Sequence, residues 1–466
     1  MQIYDYVPEL VEQGKKILEK NHLVIFDVKM RIGKSPIALL LIEKMQYKNV
    51  LIITKKKAIE GIKVVHNSLK LENNYDKSIN IDILNVEQLP SMLYKEVENK
   101  RYNDVPEQYK HLIQTKDKKT VKYDKTKLEY FKKYDCIVLD EGHQFGNMKA
   151  KTNQRQKNVK LITKDKDVFI TTGTLTPESG SQIWHVLNAT NRSPFEEKRF
   201  NQFAENYCIP KQVRTPYGFV TDWHKCYVDK INEKIKHLII QFDHYDAEFA
   251  VPEITEFFHI LPTPVKLANM ANELIKDKLI DLKIYGITTE SLEVPALTAG
   301  AEKIKVTQIV SGTLIDVEHN FYIIDPYKAL YIREKFKGQK IVIFYYFKAE
   351  LELLKRIFPK LTTDNYKFNA SQDTDLIGIS QMQSGAEGVD WRGAKALIYF
   401  DLCYSAVAFQ QSRERHKFKD RIIDAEVHYI MSDFGIEKSI YKSLKLKENY
   451  SYDKYRKFTN KIIKKG

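Results

Sequence analysis

The chain has 466 residues, 43% of them hydrophobic and 29% charged, and its 75 lysines and arginines against 61 aspartates and glutamates leave a formal charge of +14. That length exceeds one ordinary core and predicts two dominant domains, while a mean hydropathy of −0.44 and the lack of any apolar run near the ~20 residues of a membrane span exclude an integral helical membrane protein. The four cysteines, Cys136, Cys208, Cys226 and Cys403, form no close pair along the chain, which indicates neither a zinc site nor a disulfide framework.

The start, Met1-Gln2-Ile3-Tyr4-Asp5, lacks the basic and apolar regions of a secretory leader, so a reducing cytoplasm is the expected compartment. A pI near 9.1 suits an anionic polymer partner. The joint enrichment in Lys, Asn, Ile, Tyr and Phe is also what an AT-rich coding sequence produces, so charge by itself leaves nucleic-acid binding and compositional drift both standing.

In chain order, the first 230 residues alternate short apolar runs with helical patterns, the signature of a parallel sheet covered by helices. Strands are predicted at Leu23 to Phe26, Val50 to Thr54, Ile81 to Leu84, Cys136 to Leu139 and Val168 to Thr171, each short and rich in β-branched residues. Residues 94–131 are crowded with lysine and read as a surface insertion or loop. Residues 231–322, with the helical spacing of Val265 to Lys283, read as a helical subdomain. Strand and helix alternation then returns in residues 323–466, with strands at Ile341 to Tyr345, Leu376 to Ser380, Ala396 to Phe400 and Glu426 to Ile430, a second doubly wound α/β domain.

Two segments carry chemistry. Lys29-Met30-Arg31-Ile32-Gly33-Lys34-Ser35 lies between a buried-type strand and an apolar helix, with Pro36 tolerated in the first turn. There, backbone N–H groups cradle phosphate oxygens, an ammonium reaches the outer phosphates and a hydroxyl faces magnesium. The first glycine of the full phosphate-loop pattern is replaced by Val28. The second segment, Val138-Leu139-Asp140-Glu141-Gly142-His143, delivers two carboxylates at the C-terminal end of a strand, where open α/β sheets place ligands. Asp140 is positioned to hold the metal and Glu141 to orient and deprotonate an attacking water. The bland alternatives are a surface lysine in a tight turn and an ordinary acidic turn.

On these residues the chain resembles a superfamily-two helicase or translocase ATPase, of the Swi/Snf-like branch and its phage-type relatives. Asp140-Glu141-Gly142-His143 is similar to the DEAH-type box, with glycine for the usual alanine, and Met30 to Ser35 is similar to the first motif. Thr172-Gly173-Thr174 resembles the third motif, which implies that these hydroxyls, with His143, couple the phosphate site to the nucleic-acid track. Lys55 to Lys57 and Ile83 to Leu89 look like backbone-touching segments, and the strand from Ile341 looks like the fourth motif. Ser384 to Asp390 resembles the fifth, placing Gly388 and Asp390 at the nucleotide and the cleft. Thr307 to Gly312 and Phe434-Gly435-Ile436-Glu437 resemble further Swi/Snf-like segments.

Gln411-Ser412-Arg413-Glu414-Arg415 resembles the sixth motif, which implies that Arg415 faces the γ-phosphate and that Gln411 shares the catalytic site. The second expected arginine is Phe418, leaving Arg413 and Arg421 as substitutes or as ion-pairing residues of a basic helix face. No adenine-reading glutamine is legible in residues 4–14.

The resemblance implies two RecA-like domains with ATP and Mg2+ between them, Met30, Arg31, Ile32, Gly33, Lys34 and Ser35 at the phosphates, and Ser35 and Asp140 on the metal. It implies a nucleic-acid-stimulated ATPase that moves along or remodels DNA, double-stranded or branched, with no membrane partner and a monomer as the default state. An RNA helicase, or a nucleic-acid-binding adaptor with a decayed ATPase, are the alternatives; a restriction-type motor subunit would need its nuclease from a partner. The basic, aromatic-bearing stretches Lys116 to Lys133 and Lys454 to Lys465 suit either a phosphate backbone or plain solvation.

Overall fold

The computed structural model describes residues 3–459 apart from 30–31, 73–74, 99–118, 147–152, 174, 177–178, 216–217, 244–245, 248–253, 383–390, 414–424, 447–454 and 456–458. The chain divides into two compact units, Met1–Phe249 and Ala250–Gly466.

The first unit is built on six strands: β1 (Leu23–Val28), β2 (Asn49–Thr54), β3 (Asn80–Asn85), β4 (Cys136–Asp140), β5 (Asp167–Thr172) and β6 (Ile239–Phe242). Their order in the sheet is β6-β1-β5-β4-β2-β3, and every pairing is parallel. Because successive side chains of a strand face opposite sides, Leu23 and Ile25 enter one apolar cluster while Val24, Phe26 and Val28 enter another. Strands buried on both faces are therefore continuous apolar runs, as predicted.

Helix α1 (Val7–Asn21) covers the second face with Val7, Leu10, Val11 and Leu18. It ends where His22 adopts a left-handed conformation and donates its backbone N–H to the Leu18 carbonyl, a common helix stop. Helix α2 (Lys34–Lys44) adds Ile37, Leu41 and Ile42 to the same cluster. Burial of each such side chain contributes roughly 1.5–3 kcal/mol.

The second unit repeats the plan with β7 (Ile254–Leu261), β8 (Ile341–Tyr345), β9 (Leu361–Thr362), β10 (Ile377–Gln381), β11 (Ala396–Tyr399) and β12 (Ala425–Ser432). Its order is β7-β12-β11-β8-β10-β9, again all parallel. Val342 and Phe344 face one cluster, Ile341, Ile343 and Tyr345 the other. Both units are doubly wound, all-parallel α/β sheets, the predicted α/β class.

The segment 231–322 departs from the expected helical subdomain. Its residues Ile239–Phe242 extend the first sheet and Ile254–Leu261 form an edge of the second. The segment opens in the last residues of the helix Val228–Ile235, and beyond the two strands the helices Val265–Asp277 and Ala299–Val310 follow; these pack Leu267, Met270, Leu274, Val306 and Ile309 onto the same face as Val342 and Phe344. An edge strand is half-solvated, and β7 mixes Phe257, Phe258 and Ile260 with polar residues, so it lacks the uninterrupted apolar run that marks central strands. Within 94–131, read as an insertion or loop, Tyr94–Glu98 and Lys119–Tyr123 pair as an antiparallel ladder.

Candidate nucleotide-hydrolysis site

The sheet order brings the two chemistry-bearing segments together. Strand β1 leads into the phosphate loop, β4 ends at Asp140, and β5 lies between them. All three are parallel, so their C-terminal ends open on one edge.

Gly33 caps α2 with φ 93° and ψ 38°, a left-handed conformation open to glycine at little cost. No side chain caps this end, which leaves the first N–H groups of the helix suited to phosphate oxygens. Val28, in place of a first loop glycine, is fully buried at the end of β1 among Phe26 and Ile32. It does packing work and leaves the turn to Gly33. The loop is tied down by contacts that sequence reasoning missed: the Tyr6 hydroxyl donates to the Ile32 carbonyl at 3.0 Å, Tyr6 stacks near Tyr4 and Phe242, and Lys29 Nζ donates to the Gly173 carbonyl at 3.3 Å.

Lys34 Nζ lies 3.1 Å from Glu141 Oε1, with both side chains largely buried. Burial works to raise the Glu141 carboxyl, but the Lys34 ammonium and then His143 outweigh it and hold the group well below the usual carboxylate range. Glu141 has φ 52° and ψ 56°, an uncommon left-handed conformation for a side-chain-bearing residue, of the kind that collects at functional sites. His143 Nδ1 is 3.2 Å from Glu141 Oε2 and 3.4 Å from the Thr172 hydroxyl, so the predicted coupling residues His143 and Thr172 do meet, beside Glu141.

Asp140 is held from both flanks. Thr171 on β5 donates to Oδ1 at 2.8 Å and Thr54 on β2 donates to Oδ2 at 2.6 Å; both threonines sit on the strands neighbouring β4. Burial, then the charge of Glu141, raise the Asp140 carboxyl above its ordinary value against the pull of Thr54, Lys34 and Thr171. The partly buried Asp140 carboxyl beside the Glu141 charge, with the Ser35 hydroxyl on the first turn of α2, offers hard oxygen donors that would suit a divalent cation such as magnesium.

Met30, Arg31, Thr174, Gly388, Asp390, Arg415, Phe418 and Arg421 lie outside the described residues. Gln411 lies on the helix Ala406–Arg413 of the second unit. Arg413, offered as a substitute arginine, is engaged otherwise: its Nη2 is 2.9 Å from Glu256 Oε1, and its guanidinium lies over the Phe409 ring. That is the ion-pairing alternative.

Two segments singled out in the sequence, 307–312 and 434–437, each find a buried polar partner inside the second unit. Ser311 donates to Asp401 Oδ2 at 2.8 Å, and Glu437 Oε1 lies 2.8 Å from Lys328 Nζ, with both charged side chains of that pair almost wholly buried. Among the lysines of the basic stretch before β4, Lys133 pairs with Asp82 and Lys127 donates to the carbonyls of Ser91 and Tyr94. No helix among the described residues is long and apolar enough to cross a membrane.

Two SWI2/SNF2 cores are among the solved structures that align with the chain. The SWI2/SNF2 ATPase core of Sulfolobus solfataricus in complex with dsDNA shares 14% identity over 96% of this chain and 91% of its own length, with a TM-score of 0.38. The core domain of the same organism's SWI2/SNF2 ATPase gives 14%, 96%, 88% and 0.35. A comparison with curated proteins finds no match. Residues 30–271, which begin in the phosphate loop and run through the Asp-Glu strand and the coupling turn, match the family model described as the SNF2-related domain; by that match over more than half its length, the chain belongs to the SNF2-related domain family.

Proposed function

We propose that the protein is an ATP-dependent nucleic-acid motor, a DNA translocase or remodelling ATPase acting on double-stranded or branched DNA. The observation that carries this reading is the convergence of Lys34, Asp140 and Glu141 at one sheet edge, with Lys34 Nζ 3.1 Å from Glu141 Oε1. Family membership and the +14 charge support a polyanionic track.

In this reading the α2 N-terminus and Lys34 bind the outer phosphates, so that Lys34 exchanges Glu141 for phosphate oxygens and frees the carboxylate to orient a water and accept its proton. Ser35 and Asp140 hold the magnesium ion, which supplies charge neutralisation at the phosphates when bound. His143, between Glu141 and Thr172, relays the state of the nucleotide to the Thr172-Gly173-Thr174 turn. By their motifs Met30, Arg31, Ile32 and Gly33 are assigned to the phosphates, Gly388 and Asp390 to the nucleotide, and Arg415, with Gln411 four residues before it, to the charge developing on the transferred phosphoryl group.

A magnesium-dependent phosphate-release assay tests the proposal. Duplex DNA is expected to stimulate turnover more than RNA or single strands, and the stimulation to fall steeply with salt as backbone contacts are lost. Stimulation by RNA above duplex DNA would favour an RNA helicase, and absence of turnover would favour the adaptor.

A further inference from the structure

Cys208 and Cys226 are separated by a hairpin in sequence, but the antiparallel strands Cys208–Thr215 and Gly218–Cys226 place them directly opposite each other. The neighbouring pair exchanges a backbone hydrogen bond, from Tyr227 N–H to the Tyr207 carbonyl at 2.9 Å. This makes Cys208 and Cys226 a non-hydrogen-bonded pair, the close kind, with Cα atoms about 4.5 Å apart. That separation falls in the range a disulfide spans without backbone movement. The two Sγ atoms lie 3.3 Å apart, and both cysteines are free thiols.

We propose that Cys208 and Cys226 are a redox modification site, converted reversibly from dithiol to disulfide by a peroxide. Cys226 is the partly exposed member and Cys208 the buried one, so the first contact with oxidant falls to Cys226. Its thiol is eased below the ordinary cysteine value by the hydrogen bond from Cys208, against burial, with help from Ser179 and the Ser181 backbone, which favours the reactive thiolate.

The thiolate attacks the peroxide O–O bond, forms a sulfenic acid and expels one oxygen as hydroxide, which is protonated to water. The Cys208 sulfur then attacks the sulfenic sulfur, forms the S–S bond and releases the second oxygen as water, the protons coming from the two thiols. Both sulfurs are oxidised and the peroxide oxygens reduced. Two equivalents of a thiol reverse the step by exchange through a mixed disulfide and are themselves oxidised to a disulfide.

The bond would fix the root of the hairpin beside the chain that follows the Thr172-Gly173 turn. There the Ser179 hydroxyl donates to the His224 carbonyl at 2.6 Å, and a Cβ on Gly180 would be 3.2 Å from that of Cys226. Cys136 and Cys403 are buried on strand β4 and beyond β11 respectively, without such a partner among the described residues.

The test treats the folded full-length chain with a small molar excess of hydrogen peroxide, blocks remaining thiols in denaturant without reduction, and maps peptides. The expected result is a peptide pair joined through Cys208 and Cys226, loss of half of the four free thiols, and full recovery of the titre with dithiothreitol. In Cys208→Ser the same treatment, with dimedone added, is expected to leave Cys226 as the dimedone adduct formed from its sulfenic acid. Recovery of both thiols unmodified in the unsubstituted chain, or of Cys226 carrying oxygen with no link to Cys208, would overturn the proposal.

Discussion

Gly142 packs against Ile170 so closely that a Cβ at the glycine would stand 2.3 Å from the isoleucine Cγ2. The position has no room for even an alanine side chain, because β5 presents a branched side chain under the Asp140-Glu141 turn. Gly142→Ala is expected to destabilise the first unit by about 1–3 kcal/mol through overpacking. In a denaturant series the double variant Gly142→Ala/Ile170→Ala should lose less than the sum of the two single variants.

The Lys328–Glu437 pair is enclosed, with side-chain exposures of 0% and 1%. Glu437 also accepts from the Ser432 hydroxyl at 2.7 Å. Removing one partner leaves an uncompensated buried charge, so Glu437→Leu is expected to cost about 3–5 kcal/mol, while Lys328→Met/Glu437→Leu recovers a large part of the loss. Chemical denaturation monitored on the second unit checks both.

Asp401 sits beside this pair and bonds with Ser311. Burial first, then the charge of Glu437, push its carboxyl up to about 6 from 3.8, although Lys328 and a hydrogen bond with Glu350 pull the other way. A carboxyl raised in the folded state binds protons that the unfolded chain has already lost. Its stabilising contribution is full below about 3.8 and fades as pH rises through about 6. The urea midpoint of Asp401→Asn is therefore expected to change less than that of the unsubstituted protein between about pH 4 and about pH 7. An unchanged slope would show that Asp401 is not the titrating group.

Arg413 and Arg415 should separate cleanly. Because Arg413 is committed to Glu256, Arg413→Ala is expected to lower stability while leaving turnover at saturating ATP within a few-fold of the unsubstituted protein. Arg415→Ala is expected to lower turnover by about 10³-fold or more, the scale of an arginine that stabilises the transferred phosphoryl group. Melting curves and steady-state ATPase rates, measured on the same preparations, distinguish the two roles.

Central strands were legible in the sequence because burial on both faces writes itself as a run of β-branched residues. Leu23 to Phe26 and Ile341 to Tyr345 fall inside β1 and β8 for that reason. The short β6, Ile239–Phe242, and the edge strand β7 carry no such run, and their assignment to sheets depends on which neighbour they meet. The site divides along the same line. Lys34, Asp140 and Glu141 stand out in the sequence because the proposed phosphate and metal chemistry calls for those residue types at a strand end, and Lys34 does meet Glu141 in the fold. Thr54, Thr171 and the Tyr6–Ile32 bond were not, since each depends on contacts between segments distant in sequence. The pairing of Cys208 with Cys226 is likewise a matter of hairpin register, invisible in their spacing.

The most direct test of a single hydrolysis site built from Lys34 and Glu141 is magnesium-dependent phosphate release by the full-length chain with duplex DNA, compared with Lys34→Ala and Glu141→Gln. Turnover is expected to fall by about 10²-fold or more in each variant, with circular dichroism and melting behaviour showing an intact fold. Turnover within a few-fold of the unsubstituted protein in either folded variant would contradict it.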